Sequence, residues 1–287
     1  MVLMDEMIID SKGLVKRFGE LTAVDHLDLK VRKGEIYSFL GPNGAGKTTT
    51  IRMLTTMDLP DEGTIVIGGH ETGRDYIGAR RLIGVIQQQH SLEKDISVRE
   101  NIIYPGLMQN LSRKVIESRM KELCEIMGLE KRMDSLVKNL SGGWKKRVAI
   151  VCALIHEPDI LFMDEPTTGL DTQSRNLLWK MIRSINRRGT TIFLTTHYIF
   201  EAEQLADRVG IIESGKMIAE GTVEELLSRL PPVALVATGE DGNENVTFHK
   251  DRMEAKKASE SYDETYNISV RSTNLEDVFL DITGRKF

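Results

Sequence analysis

The chain of 287 residues contains only two cysteines, Cys124 and Cys152, and they lack the CxxC spacing of a metal or redox site. Two such cysteines in apolar surroundings predict buried thiols in a reducing compartment rather than a disulfide framework. Long apolar runs are also missing. The longest, residues 148–155, is far shorter than the roughly 18 to 20 residues needed to cross a bilayer. The N-terminal residues show no secretory signal, so we expect a cytoplasmic protein.

An excess of basic residues is absent as well. Lys and Arg number 38 against 43 Asp and Glu, which gives a net charge of −5. Residues 240–287 hold 7 basic and 11 acidic side chains, so −4 of this charge lies in the tail. This balance argues against a broad nucleic-acid-binding face and against direct attraction to anionic lipid. The hydrophobic and charged fractions, 40% and 28%, are those of a soluble globular protein.

Buried strand patterns alternate with helical ones along most of the chain. Residues 36–40 are apolar enough for a strand buried on both faces, and they end directly in a glycine-rich loop. Leu27, Leu29 and Val31 alternate with polar residues, as in a half-buried strand. The other predicted strands are residues 64–67, 82–86, 160–163, 190–195 and 209–212. We therefore predict an α/β fold with a mainly parallel sheet.

Two regions interrupt this alternation. Residues of about 95–155 become helical, with Ile116, Met120, Leu123 and Met127 on one stripe and Gly128 as the stop, which predicts a helical insertion. Near the other end, Thr222 and Glu225 form a capping box at the start of a helix that precedes two prolines. We place a domain boundary there. The prediction is one domain over residues 1–229 and a small α+β extension over residues 230–287, with strands at 233–237, 246–248 and 268–270.

The glycine-rich loop fits the P-loop pattern. Residues 41–48 read Gly-Pro-Asn-Gly-Ala-Gly-Lys-Thr, after a buried strand and before a helix. Glycines let the backbone N–H groups turn inward, and the helix N-terminus favours phosphate. Lys47 can reach the β and γ phosphates, and the Thr48 hydroxyl can ligate Mg²⁺.

Two further segments carry chemistry. The apolar strand at residues 160–163 ends in Asp164, which would hold Mg²⁺ through water, and Glu165, which could polarise the attacking water. Ser141 and two glycines precede a helix. We expect the Ser141 side chain to cap that helix while the glycines leave its first N–H groups open to an anion. The chain thus has two anion-binding helix starts and one lysine-bearing P-loop.

The order of these motifs resembles the nucleotide-binding domain of the ATP-binding cassette (ABC) superfamily over about residues 4–230. The resemblance implies a P-loop ATPase fold with an antiparallel β subdomain and an inserted helical subdomain. It assigns adenine stacking to Phe18 and contacts with Mg²⁺ and water to Gln88, with Gln87 and Gln89 as neighbouring alternatives. Ser141 and Gly143 match the signature that contacts the γ-phosphate bound to the opposite subunit.

The resemblance also places Asp171 at the dimer seam and makes His197 the switch histidine beside the γ-phosphate. The implied catalytic residues are Lys47, Gln88, Glu165 and His197, and the implied Mg²⁺ ligands are Thr48, Gln88 and Asp164. The residues implied to hold ATP are Phe18, Gly41, Pro42, Asn43, Gly44, Ala45, Gly46, Lys47, Thr48, Thr49, Gln88, Ser141, Gly143 and Asp171. Trp144 and Gln87 depart from the residues usual in the family and lie outside the phosphate-contacting set.

The tail, residues 272–280 and 283–285, is similar to the C-terminus of ATPases that serve ABC-2 type exporters, the daunorubicin-resistance group among them. An ordinary amphipathic helix is the alternative interpretation of this segment. The resemblance implies an ATP-hydrolysing exporter subunit that forms a homodimer or heterodimer, with a separate permease holding it on the inner face of the membrane. No nucleic-acid partner is expected.

Two other classes share part of the pattern. A soluble ABC-type ATPase acting in translation or DNA repair would commonly carry two cassettes, whereas this chain has one P-loop and little positive charge. A P-loop kinase or transferase would leave residues 140–143 and His197 without a role. Capture of a permease rather than RNA or DNA separates the first alternative, and phosphate release without an acceptor separates the second.

Overall fold

The computed structural model describes residues 6–88, 92–263 and 265–284. Gln89 and Arg285, which carried expectations above, lie outside these ranges. The chain divides into two compact units between Met217 and Ile218. This division lies earlier in the chain than the domain boundary at residue 229, which stays a prediction. Within the described ranges, no helix is both long enough and apolar enough to span a membrane.

An antiparallel sheet forms one layer of the first unit. Its strand order is β2-β1-β4-β5. The strands are β1 (Met7–Phe18), β2 (Leu21–Arg32), β4 (Glu62–Ile67) and β5 (His70–Glu71). Leu27, Leu29 and Val31 are all buried on β2, and Asp28 and Lys30 between them are exposed, so the predicted alternation is confirmed. This layer is the antiparallel subdomain that the resemblance implied.

The second layer is a six-stranded sheet with the order β10-β9-β3-β8-β7-β6. Its strands are β3 (Ile36–Leu40), β6 (Ile83–Ile86), β7 (Ile160–Asp164), β8 (Thr191–Thr196), β9 (Arg208–Glu213) and β10 (Lys216–Gly221). β3 pairs in parallel with β8 and β9, and β7 pairs in parallel with β6 and β8, which confirms the mainly parallel sheet. Because the strands are parallel, the carboxyl ends of β3, β7 and β8 meet at one edge.

The main strands are buried on both faces, as their composition predicted. Phe162 and Phe193 point into a core shared with the antiparallel layer, where their ring centroids are 5.4 Å apart. Leu161, Met163 and Leu194 point the other way, into a core shared with the helices. Alternate residues of each strand thus serve two cores, which is why the strand sequences are apolar throughout.

Seven helices lie in the described part of the first unit. They are α1 (Lys47–Leu54), α2 (Tyr76–Arg81), α3 (Val98–Met108), α4 (Arg113–Met127), α5 (Gly142–Leu154), α6 (Thr172–Asn186) and α7 (Ile199–Leu205). α3, α4 and α5 form the predicted helical insertion, and Gly128, with φ of 65°, ends α4 as expected. Cys124 rather than Leu123 completes the fully buried stripe of α4, because Leu123 is only partly covered. Both cysteines are free thiols.

The second unit has its own small sheet. Its elements are α8 (Val223–Leu227), β11 (Val233–Thr238), β12 (Glu244–His249), α9 (Arg252–Ser259), β13 (Asn267–Ser272) and α10 (Leu275–Thr283). β11 is the central strand and pairs antiparallel with both neighbours. The capping box of Thr222 and Glu225 is present at α8. Buried Asp277 of α10 accepts two hydrogen bonds from Arg271, at 2.6 and 2.7 Å, so an ion pair fixes α10 to β13.

Candidate active site

The loop after β3 presents the free N-terminus of α1. Gly46, the N-cap residue, has φ of 104°, and a Cβ there would lie 2.4 Å from the carbonyl oxygen of Ala23. Only glycine fits this position. No side chain caps the helix and its first turn has no acidic residue, so its amides are free to bind an anion.

The hairpin of β1 and β2 lies beside this loop. Ala23, which touches Gly46, belongs to β2, and Phe18 pairs with Leu21 at the end of the same hairpin. The Phe18 residue is 52% exposed. An exposed aromatic ring on the strand pair that contacts the P-loop is available to stack on a base.

Lys47, the first residue of α1, is buried, and its side chain turns back toward the loop. Its Nζ donates to the carbonyl oxygens of Gly41 and Pro42, at 2.7 and 3.0 Å, and lies 3.4 Å from Oε1 of Glu165. Burial lowers the pKa of Lys47, and the negative charge of Glu165 opposes that shift. The two hydrogen bonds to loop carbonyl groups therefore fix the position of the Lys47 ammonium group.

Asp164 ends β7 and faces α1. Its carboxylate accepts hydrogen bonds from the hydroxyls of Thr48, at 3.1 Å, and Thr195, at 2.6 Å. Hydroxyl and carboxylate oxygens are the donors that Mg²⁺ prefers, so the predicted pair of Thr48 and Asp164 suits that ion. In the ranges that the structure describes, no group of three or more His, Cys, Asp or Glu side chains could hold a metal. A magnesium ion here would keep water and phosphate oxygens as its other ligands.

Glu165 occupies a strained position directly after β7. Its φ is 44°, uncommon for a residue with a side chain. Its backbone N–H donates to the hydroxyl of Thr195 at 3.0 Å, which ties the turn to β8. This turn directs the Glu165 carboxylate toward the loop instead of continuing the strand.

Four side chains surround the Glu165 carboxylate. Nε2 of Gln88 and the hydroxyl of Thr168 both donate to Oε2 at 3.2 Å. Oε1 lies 3.1 Å from Nδ1 of His197 and 3.4 Å from Nζ of Lys47. Burial raises the pKa of Glu165, but His197, Lys47 and Thr168 together outweigh it and hold that pKa below its usual value. The carboxylate is therefore ionised at neutral pH.

The structure distinguishes two of the neighbouring glutamines. Nε2 of Gln87 contacts the sulfur of Met57 at 3.3 Å, whereas Nε2 of Gln88 reaches Glu165. Gln88, and not Gln87, is the glutamine that this geometry brings to the site.

The second anion-binding helix start differs from the prediction in one respect. Ser141 is the N-cap residue of α5, but its side chain makes no capping hydrogen bond, so the expected cap is wrong. The Ser141 backbone has the extended conformation usual for an N-cap residue, and the residue is exposed. Asp171, by contrast, caps α6 through the N–H and hydroxyl of Ser174, at 2.9 and 2.6 Å. These bonds lower the Asp171 pKa.

The predicted residues thus fall into two groups. Lys47, Thr48, Gln88, Asp164, Glu165 and His197 meet at the edge where β3, β7 and β8 end. Among the described residues, no hydrogen bond or ion pair joins Ser141, Gly143 or Asp171 to that group. Sequence reasoning missed Thr168 and Thr195, which orient the two carboxylates. Thr195 lies two residues before His197 at the end of a buried strand, and that position was the available signal.

A parallel sheet whose strand ends bring together a P-loop lysine and a paired aspartate and glutamate defines a P-loop nucleotide hydrolase. More specifically, the chain belongs to the ABC transporter family, whose family model matches residues 24–168. The chain is therefore an ATP-binding ATPase of that family.

Relatives match almost the whole chain. It is similar to the Nod factor export ATP-binding protein I of Ralstonia nicotianae, with 39% identity over 97% of this chain and 94% of the relative. It is also similar to the daunorubicin/doxorubicin resistance ATP-binding protein of Streptomyces peucetius, with 38% identity over 96% and 92%. Among solved structures, it resembles a dimeric post-hydrolysis ATP-binding cassette bound to ADP and Pi, with a TM-score of 0.68 and 28% identity over 75% of this chain and 98% of that one.

Proposed function

We propose that this chain is the ATP-hydrolysing subunit of an ABC-2 type exporter and that two such cassettes close on ATP to drive a separate permease. The observation that carries the proposal is the environment of Glu165. A carboxylate with a depressed pKa lies within 3.4 Å of both the P-loop lysine and the switch histidine. That arrangement suits a group that must orient a water molecule next to a bound phosphate.

Each residue of the site has a role in this proposal. The amides of the P-loop and Lys47 bind the β and γ phosphates, and Phe18 stacks on the adenine. Thr48, Asp164 and Gln88 would hold Mg²⁺, which neutralises charge on the phosphates. The Glu165 carboxylate orients the attacking water and accepts its proton. His197, beside Glu165, donates to the γ-phosphate and keeps the carboxylate in position.

The phosphate must replace Glu165 as the partner of Lys47. The ion pair between the two side chains spans 3.4 Å in a buried setting, where charges interact strongly. An arriving phosphate binds Lys47 and repels the carboxylate, which then turns toward the water. Binding and activation are thus linked through one lysine.

The start of α5 supports a dimer. Ser141 and Gly143 lie at an uncapped helix start, and within the described ranges neither shares a hydrogen bond with the P-loop of its own chain. A second cassette placed face to face would bring this helix start to the γ-phosphate on the first. The similar cassette solved in a dimeric state fits this arrangement. The partner cassette is a second copy of this chain or a close relative.

The names of the relatives and the tail support the exporter class. Proteins named for export of Nod factor and for resistance to daunorubicin match the chain from the first unit through the second. We infer that a permease places the chain on the inner face of the cell membrane and that residues 1–229 form the cassette and residues 230–287 an extension.

The test is a Glu165→Gln variant with Mg-ATP. We expect it to bind ATP, to hydrolyse it roughly 10² to 10⁴ times more slowly, as for loss of a general base, and to accumulate as a dimer. Phosphate release measures the hydrolysis rate, and sedimentation velocity with Mg-ATP measures dimer formation, which itself requires ATP binding. Affinity purification of this variant from membranes of its host should capture a protein with several membrane spans. Unchanged turnover, a chain that stays monomeric with ATP, or capture of RNA or DNA instead would each contradict the proposal.

A further inference from the structure

Trp144, which departs from the residue usual in the family, takes no part in the mechanism above. It is the third residue of α5 and directly follows Gly143. The guanidinium of Arg132 lies over its ring at 4.4 Å from the ring centre, and the guanidinium of Arg147 lies over it at 4.2 Å. We call these three side chains the tryptophan stack. Of the aromatic side chains, tryptophan attracts a cation to its ring most strongly.

The tryptophan stack connects three segments of the helical insertion. Arg132 is the last residue of a 3₁₀ turn that begins at Glu130, just after α4. Trp144 and Arg147 lie one turn apart on α5. Nη1 of Arg147 also donates to the carbonyl oxygen of Met127, the last residue of α4, at 3.1 Å. The last carbonyl groups of a helix lack partners within it, so an arginine there is favourable. The end of α4, the 3₁₀ turn and the start of α5 therefore meet at one ring.

The start of α5 lacks the restraint that a side-chain cap would give it. Ser141 makes no capping hydrogen bond, and the first turn contains no acidic residue. A helix start without such a cap is less stable than a capped one. Trp144 lies within this first turn. Its contacts with two arginines therefore restrain the part of the helix that Ser141 leaves uncapped.

The tryptophan stack also concentrates positive charge near this helix start. In the ranges that the structure describes, neither arginine forms an ion pair with a carboxylate, although Glu130 lines the same recess as Arg132 and Trp144. Burial lowers the pKa of Arg147, and the neighbouring charge of Arg132 lowers it further. Positive charge close to a helix N-terminus is unfavourable, because that end of the helix dipole is positive too. An anion that reaches the helix start removes this repulsion.

We propose that Trp144 and Arg132 are positioning residues that keep the start of α5 ordered and positively charged, ready for the phosphate of a nucleotide bound to a second cassette. The indole ring fixes the Arg132 guanidinium beside the signature, and Arg147 joins the same ring to the end of α4. In this role neither Trp144 nor Arg132 touches the nucleotide. This inference rests on the proposed function, because it concerns the contact between two cassettes.

The experiment measures ATP-driven dimerisation in the Glu165→Gln background. Trp144→Leu and Arg132→Gln are made singly and together, and Trp144→Phe keeps an aromatic ring. The matched control is Lys131→Gln, which removes a cation of the same 3₁₀ turn for which the described structure gives no cation–π contact with the ring. Sedimentation equilibrium with ATP gives the dimer dissociation constant. A fluorescent ATP analogue with very dilute protein gives the affinity of the single chain, and thermal melting reports folding.

One cation–π contact corresponds to about twofold to thirtyfold in an equilibrium constant. We therefore expect Trp144→Leu to weaken the dimer about tenfold and Arg132→Gln about threefold, with single-chain affinity changed less than about twofold. The double variant should bind at most about twofold more weakly than Trp144→Leu, because both changes remove the same contact. Trp144→Phe should dimerise about threefold more tightly than Trp144→Leu. Lys131→Gln should dimerise as the parent does.

Four results would overturn the inference: unchanged dimerisation in Trp144→Leu, independent losses that multiply in the double variant, a Trp144→Phe chain as weak as Trp144→Leu, or equal losses in Arg132→Gln and Lys131→Gln. Should Trp144→Leu fail to fold, the comparison of Arg132→Gln with Lys131→Gln decides, because both residues are exposed. A parent Glu165→Gln chain that does not dimerise with ATP would instead contradict the proposed function itself.

Discussion

Two helices of the first unit, α1 and α5, begin alike but lie in different surroundings. Neither N-cap residue, Gly46 or Ser141, provides a side-chain cap, and neither first turn contains an acidic residue. Both helices therefore offer free amides and a positive dipole end to an anion. The start of α1 adjoins a buried lysine and two carboxylates, whereas the Ser141 residue at the start of α5 is exposed.

The difference comes from what precedes each helix. α1 follows a central strand of the parallel sheet, so its start shares an edge with the ends of β7 and β8, which supply the carboxylates and the histidine. α5 follows a 3₁₀ turn, Val137–Asn139, inside the helical insertion, where no strand ends. Both helix N-termini can bind an anion, but only the start of α1 lies at the sheet edge that supplies the groups for ATP hydrolysis. The start of α1 therefore has a cation and two carboxylates of its own chain beside it, and in the proposed dimer the start of α5 would complete the site of the partner.

The largest predicted effect comes from disabling each helix start on a different chain. Lys47→Met removes the cation that binds phosphate. Ser141→Asp places a carboxylate at the start of α5, where it would accept hydrogen bonds from the free amides and repel phosphate. Each variant alone should lose ATPase activity by at least about 10², the scale of a lost oxyanion contact. Mixed in equal amounts they should recover about a quarter of wild-type activity, because half of random dimers are mixed and each holds one intact site.

Ser112→Asp is the control for this experiment. Ser112 already caps α4 through its side chain, so aspartate there should leave the ATPase rate unchanged. Thermal melting should show Ser141→Asp to be at least as stable as the wild type, since aspartate is a better cap than a free serine. No recovery in the mixture would mean that the two helix starts do not meet across a dimer.

The two glycines at the helix starts should differ in tolerance. A methyl group at Gly46 would strain the backbone at φ 104° and meet Ala23, so Gly46→Ala should weaken ATP binding on the order of tenfold to a hundredfold. Gly142→Ala places its methyl group in open space and should leave single-chain binding intact. Titration with a fluorescent ATP analogue decides the matter, and equal losses in both variants would remove the distinction between the sites.

Much of the fold was predictable because the sequence patterns of buried strands and of helix-ending glycines depend only on residues close together in the chain. The apolar run at residues 36–40 needed no tertiary information to be identified as a strand buried on both faces. Leu123 was predicted on the buried stripe of α4 but is only partly buried, for a different reason. The stripe of α4 is set by contacts with α3 and α5, and those contacts favour Cys124.

The candidate site was less predictable in its supporting groups. Motif spacing brought Lys47, Asp164 and Glu165 together correctly as neighbours. It could not show that the Thr195 hydroxyl donates to the Asp164 carboxylate and accepts from the backbone N–H of Glu165, since that depends on the register of β7 beside β8. Nor could it show that the Ser141 side chain does not cap its helix, because a Ser-Gly-Gly pattern does not determine the rotamer of the serine.

A smaller effect is expected from the ion pair that distinguishes the α1 site. Glu165→Gln removes the negative charge 3.4 Å from Lys47, which competes with phosphate for that cation. Single-chain affinity for ATP should therefore rise by about twofold to tenfold, because the cost of burying both charges offsets much of their attraction. Equilibrium titration with very dilute protein measures it, with Glu203→Gln as the control. An unchanged or weaker affinity would show that Glu165 does not compete for Lys47.

The smallest effect concerns the C-terminal end of α5. This end is held to the sheet through His156, whereas the N-terminal end is uncapped. His156 follows the helix, and its Nε2 lies 3.0 Å from the carbonyl oxygen of Ile83 on β6. Burial lowers the pKa of His156 in the folded chain. Below about pH 6.5, the ordinary histidine pKa, the unfolded chain therefore binds a proton at His156 more readily than the folded chain does. The free energy of unfolding then decreases as the pH is lowered. His156→Gln should flatten that fall between about pH 7 and 5, as followed by urea midpoints, whereas His70→Gln, at a half-exposed histidine on β5, should not. Equal slopes in all three proteins would mean that this contact does not fix the end of α5 to the sheet.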